Sequence, residues 1–187
     1  MNKKIFSAFA LVLASIMCLS LCACSGGNKA AGIAPGSAFK DAQDMAVVIN
    51  GVTYPVRVDS KAVLAALGGI DSCEYEETVS CVYKGYDKSF DFGDIRVSTV
   101  PVDDVDIIEM FTLRGGDYAT PRGIKVGDSR QKMIEAYGES CMMDDGYYVT
   151  YTANGDPNDF SAMRIMFKMN GDTIEEICVY SPSYTND

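Results

Sequence analysis

The chain has 187 residues, a formal net charge of −10, and neither histidine nor tryptophan. Without imidazole there is no Ser-His-Asp triad, no Cys-His pair and no zinc site built on histidine. The acidity opposes contact with nucleic-acid phosphates and a second, electrostatic attachment to anionic lipid.

The opening Met1-Asn2-Lys3-Lys4 is basic, and Ile5 to Leu21 is an uncharged apolar run. This is the form of an export signal. The run is slightly short for a simple membrane helix of about 20 apolar residues. It closes on Leu21-Cys22-Ala23-Cys24-Ser25-Gly26-Gly27, which resembles the lipobox of bacterial lipoproteins. The resemblance implies alkylation of the Cys24 thiol by a diacylglycerol donor and cleavage after Ala23. Residues 1–23 are then a signal peptide, and the expected location is the outer face of the cytoplasmic membrane, held there through lipid on Cys24. Residues 24–44, rich in Gly, Ala and Ser, are expected to form a flexible tether with a reach of roughly 25 Å.

The stretch from Met45 to Tyr184 has the length of one ordinary domain or two small repeats. Its most informative pattern is self-similarity. Val56 to Gly68 resembles Val126 to Gly138 at an offset of 70, and Ile108-x-x-Phe111-x-Leu113 resembles Ile174-x-x-Ile177-x-Val179 at an offset of 66. Asp59 or Ser60, and Asp128 or Ser129, suit helix starts; Gly68 and Gly138 suit helix ends. Strands are expected at Val79–Lys84, Ser89–Phe92, Ile95–Val100 and on to Leu113. In the second part they are expected at Tyr147–Thr152, Met163–Met169 and Thr173–Tyr180, with a hairpin turn at Asn170-Gly171. The fold class is thus α+β. Two tandem repeats, 45–115 and 116–187, each pack a short helical segment on a three- to four-stranded antiparallel sheet.

Four cysteines fall in this part: Cys73, Cys81, Cys141 and Cys178. An even number outside the cytoplasm suggests disulfides. The simplest pairing is local, Cys73 with Cys81 across a bend, which leaves Cys141 and Cys178 as a second pair.

Period-two alternation in the second repeat turns Tyr147, Val149, Tyr151, Met163, Ile165, Phe167, Ile177 and Val179 toward the helix. Tyr148, Thr150, Arg164, Met166, Lys168, Glu176 and Tyr180 then line the other face. Tyrosine, methionine and basic side chains on one face of a very acidic protein make a candidate contact surface.

The stretch Thr120-Pro121-Arg122-Gly123-Ile124-Lys125-Val126-Gly127-Asp128-Ser129, followed by Tyr137-Gly138, is similar to a group of small lipoproteins of clostridia-like Gram-positive bacteria. Their repeat resembles the helix-plus-sheet unit of the beta-lactamase inhibitor protein and of BamE. The resemblance spans residues 48–180 and implies fold, location and a protein-binding role.

The expectation is therefore a non-catalytic interaction module with no cofactor and an envelope or extracellular protein as partner. The alternative is capture of a small ligand or wall fragment. The adjacent carboxylates Asp103/Asp104 and Asp144/Asp145 suit a hydrolase only in principle. The oxygen-rich Asn154–Asp159 stretch is a weak candidate for calcium, since it lacks the EF-hand spacing and its terminal glutamate.

Overall fold

The structure, a computed structural model, describes residues 28–29, 33–139, 142–152, 154–156 and 158–182. The leader, Cys24 and Cys141 lie outside the described residues.

Elements form where local chemistry permits. Helix α1 spans Asp41–Asp44, α2 Lys61–Ala66 and α3 Arg130–Tyr137. At the start of α3 the Ser129 hydroxyl accepts the Lys132 N–H at 3.2 Å. At the start of α2 the Asp59 carboxylate accepts the Lys61 N–H at 3.0 Å. Each of these two helices is followed by glycine at positive φ, Gly68 at 104° and Gly138 at 77°, where a side chain would be strained.

The strands are β1 Asn28–Lys29, β2 Ala46–Ile49, β3 Val52–Pro55, β4 Glu74–Val79, β5 Tyr86–Asp91, β6 Ile95–Val102, β7 Val105–Leu113, β8 Met142–Asp144, β9 Tyr148–Thr152, β10 Arg164–Asn170 and β11 Thr173–Tyr180. Two-residue turns with both φ positive close the β2–β3 hairpin at Asn50-Gly51 and the β6–β7 hairpin at Asp103-Asp104, as right-handed strand twist favours.

The chain is α+β, rich in antiparallel strand and poor in helix. Strands β1, β3 and β2 make a small sheet, and the other eight form one sheet in the order β4-β5-β6-β7-β11-β10-β9-β8. Where two separate sheets were expected, β7 pairs with β11 from Met110↔Tyr180 to Leu113↔Ile177 and fuses them. Left alone, each of these strands would be an edge with unpaired backbone groups. A single core results on one side of the large sheet. It holds Val63 and Leu64 of α2, Met133, Ala136 and Tyr137 of α3, and strand residues from Phe90 to Val179.

The backbone treats the two halves alike. Arg57, Ser60 and Ile108 N–H groups donate to Ile108, Asp106 and Val58 carbonyls. Gly127, Arg130 and Ile174 donate to Ile174, Asp172 and Asp128 in the same pattern. The β6–β7 register skips Glu109, and the β10–β11 register skips Glu175.

Three expectations need correction. Residues 74–79, not 79–84, form the first strand of the large sheet, and 80–85 form its connecting turn. Cys73 and Cys81 are free thiols. They flank a six-residue strand about 20 Å long, whereas a disulfide needs Cα atoms about 6 Å apart. Cys178 is also free. Finally, the end of the expected tether is packed: Phe39 lies against the core and Asp44 is fully buried. Among the described residues no helix is long and apolar enough to cross a membrane.

Candidate interaction face

Strand alternation gives the large sheet a second face, opposite the helices. Cross-strand pairing arranges it in rows. One row runs Met143, Thr150, Met166, Cys178, Thr112, Arg96 and Asp91 from β8 to β5. A second carries Arg164, Tyr180, Met110 and Ser98, and a third Tyr148, Lys168 and Glu176. The side that belongs to the second half is rich in sulfur and tyrosine. The side that belongs to the first half is polar.

Of the predicted face residues, Tyr148, Met166, Lys168 and Tyr180 are half-buried on this surface. Thr150 is only 3% exposed, a short side chain lost between Met143 and Met166. Arg164, 5% exposed, is also removed from the contact surface. Its guanidinium donates to the Ala162 carbonyl at 3.2 Å and to the Asp159 carbonyl, and it stands 5.3 Å from the centre of the Phe160 ring. Arg164 holds down the loop that precedes β10 and is structural. Lys168 pairs with Glu175 at 3.0 Å and sits 5.5 Å from the ring centre of Tyr147. The Glu175 carboxylate raises the Lys168 pKa to about 12.

Tyr147 does not face the helix as expected. It precedes β9, is exposed, and meets Tyr148 edge-on at 5.1 Å. Met110 is an addition that alternation within the second half alone does not reveal, because it reaches Tyr180 through the β7–β11 pairing. Cys178 follows from the same alternation as Glu176 and Tyr180 and lies opposite Met166. Methionine adapts its shape to a partner at low cost. Burial, followed by the Glu176 carboxylate, pushes the Cys178 thiol up to about 12, so it is protonated and a poor nucleophile.

On the polar side Asp91 binds two cations, Arg96 at 2.6 Å and Arg114 at 3.0 Å. Burial raises its pKa, but the Gly93 N–H and the two guanidiniums outweigh this and leave it below the usual carboxylate range.

The remaining candidates lie elsewhere. Asp103 and Asp104 form the β6–β7 turn. Asp144 is paired with Arg130, and Asp145 accepts the Tyr147 and Tyr148 N–H groups at 2.8 and 2.6 Å. The Gly146 N–H lowers the first carboxyl and the Tyr148 N–H lowers the second. A general acid needs the opposite shift. In the 154–159 loop the Asn154, Asp156 and Asp159 side chains accept N–H groups from Asp156, Asn158 and Ser161. Among the described residues no group of three His, Cys, Asp or Glu side chains is placed to hold a metal ion.

The residue that sequence reasoning overlooked is Arg122. Arg122 and Asp44 side chains are 1% and 0% exposed and form a two-pronged pair at 2.6 and 2.9 Å. The same guanidinium donates to the Ser37, Ala38 and Ala136 carbonyls and lies 4.7 Å from the Tyr137 ring centre. It ties the segment before β2 to the end of α3. The Thr120–Ser129 motif contains it, but its partner stands 78 residues away.

No family model, curated protein or solved structure matches the chain.

Proposed function

We propose that the chain is a lipid-anchored, extracytoplasmic interaction module without catalytic activity. It is held on the outer face of the cytoplasmic membrane through Cys24 and built from two tandem copies of one helix-and-sheet unit. The leader and its Leu21-Cys22-Ala23-Cys24 ending support the anchor. The repeated hydrogen bonds and the equivalent skips at Glu109 and Glu175 support the duplication.

The observation that carries the binding role is the asymmetry of the large sheet. One face is covered by α2 and α3, while the other presents half-buried Tyr148, Met166 and Tyr180 beside Met110. Tyrosine and methionine bind protein surfaces through large, adaptable apolar area. A protein partner in the envelope or outside the cell fits this chemistry better than nucleic acid, which the net charge of −10 repels.

The test is crosslinking and co-purification from solubilised membranes of the source organism. A partner recovered with the native chain and lost with Tyr148→Ala/Met166→Ala is the expected result. Recovery of the same proteins by both, or of none by either, would overturn the binding reading. Mass spectrometry of the membrane-bound chain checks the anchor: a diacylglycerol-modified Cys24 at the mature N-terminus is expected.

A further inference from the structure

Between α2, the turn at 70–72 and strands β4 and β5 lies a crevice of about 430 Å³. It is on the helix side of the sheet, away from the open face. Leu64, Tyr75 and Phe90 line it with apolar surface, and the Tyr75 and Phe90 rings stand 5.4 Å apart. Ile70 and Tyr75 are large apolar side chains left well exposed around it. Four carboxylates surround this surface, Asp59, Asp71, Asp104 and Asp106, against two ammonium groups, Lys61 and Lys88. Asp59 is matched by Lys61 at 3.3 Å and Asp106 by Lys88 at 2.9 Å. Asp71 and Asp104 have no cationic partner among the described residues.

The second half handles the equivalent place differently. The matching registers align Ser60 with Arg130, Tyr75 with Asp144 and Thr99 with Met169. Arg130 and Asp144 form an ion pair that joins α3 to β8. Ser60 and Tyr75 make no such bond across the first half. Met169 is buried and fills its position. Thr99 is shorter, 1% exposed, and its hydroxyl has no hydrogen-bond partner. It stands directly beside Lys88, which lines the crevice. Ser60 and Tyr75 thus line the opening in the first half where Arg130 and Asp144 bridge the second, and Thr99 lies outside the lining, opposite Lys88.

We propose that this crevice binds a small organic cation with an apolar body, such as an alkyl or arylalkyl ammonium. Asp71 and Asp104 receive the charge, and Leu64, Tyr75 and Phe90 receive the hydrocarbon. The volume falls within the range of small-molecule sites, and the aromatic pair adds cation–π attraction. The comparison with the second half rests on the reading of the halves as copies of one unit. The excess of carboxylate and the apolar lining do not.

Calorimetric titration of the purified full chain in detergent tests the assignment with three probes of one shape. 4-Phenylbutylamine should bind about tenfold more tightly than 4-phenylbutanol, and 4-phenylbutyrate most weakly. Asp71→Asn/Asp104→Asn should bring the amine down to the affinity of the alcohol. Ser60→Arg/Tyr75→Asp, which reproduces the bridge of the second half, should weaken the amine about tenfold. Equal binding of the three probes, or undiminished amine binding in Ser60→Arg/Tyr75→Asp, would overturn the proposal. A Ser60→Arg/Tyr75→Asp chain that fails to fold would count against the copied-unit reading, and the probe series and carboxylate variants then decide the crevice.

Discussion

The first and second halves of this molecule carry matching backbone hydrogen bonds around α2 and α3 and matching register skips at Glu109 and Glu175, and they differ in the side chains packed there. In the second half the eight residues of α3 lie over an aromatic cluster: Tyr137 is 5.0 Å from Tyr151 and 5.4 Å from Phe167. In the first half α2 has six residues, and Val97 takes the place in register that Phe167 holds in the second. Backbone hydrogen bonding is thus alike at these positions, while side-chain volume differs between the halves. The open face follows the same division, with sulfur and tyrosine on one side and the Asp91 cation network on the other.

The largest effect expected on this comparison comes from Arg122. Arg122→Met leaves Asp44 buried without its partner, and breaking a buried pair from one side costs about 3–5 kcal/mol. Denaturant melts should show that loss, and Asp44→Leu/Arg122→Met should recover part of it. Next come the interiors themselves. Phe167→Ala should cost about 4 kcal/mol, and Val97→Ala about 2 kcal/mol for two buried methyl groups. Equal losses in urea unfolding would mean that the two halves are packed alike.

Acid should act more weakly, through exposed or half-exposed groups. The carboxyls of Asp91 in the first half and of Asp144, Asp145 and Asp159 in the second are all held below their usual values. For a depressed carboxyl the stabilisation is present above the unfolded value near pH 4 and is lost as pH falls through the folded value. Thermal melts should thus be flat from pH 7 to about pH 5 and decline below about pH 4, with a smaller decline for Asp144→Asn. The smallest perturbation is thiol labelling at about pH 8, where an ordinary thiol is partly ionised. Exposed Cys81 should react first, and Cys178, held protonated on the sheet face, far more slowly. Prompt modification of Cys178 in the folded chain would contradict its half-buried placement.

Several misreadings trace to one strand. All six residues of β4 are exposed, so no apolar alternation marks it. Without that signal Cys73 and Cys81 looked like the two sides of a bend, although a straight strand separates them. The β2–β3 hairpin was legible at Asn50-Gly51 by the same rule that marked Asn170-Gly171, but its strands are only four residues long. Arg164 looked like a contact residue because alternation gives a face and says nothing of the loop lying over it.

Local order was written into the sequence. The helix starts at Asp59 and Ser129, the glycines that end them and the buried face of β9 to β11 all depend on neighbours a few residues apart. Tertiary structure alone decided that β7 and β11 join two sheets into one, that Arg122 meets Asp44, and that α2, β4 and β5 enclose a crevice. These depend on distant backbone edges finding partners and on the volume of side chains brought together from separate strands.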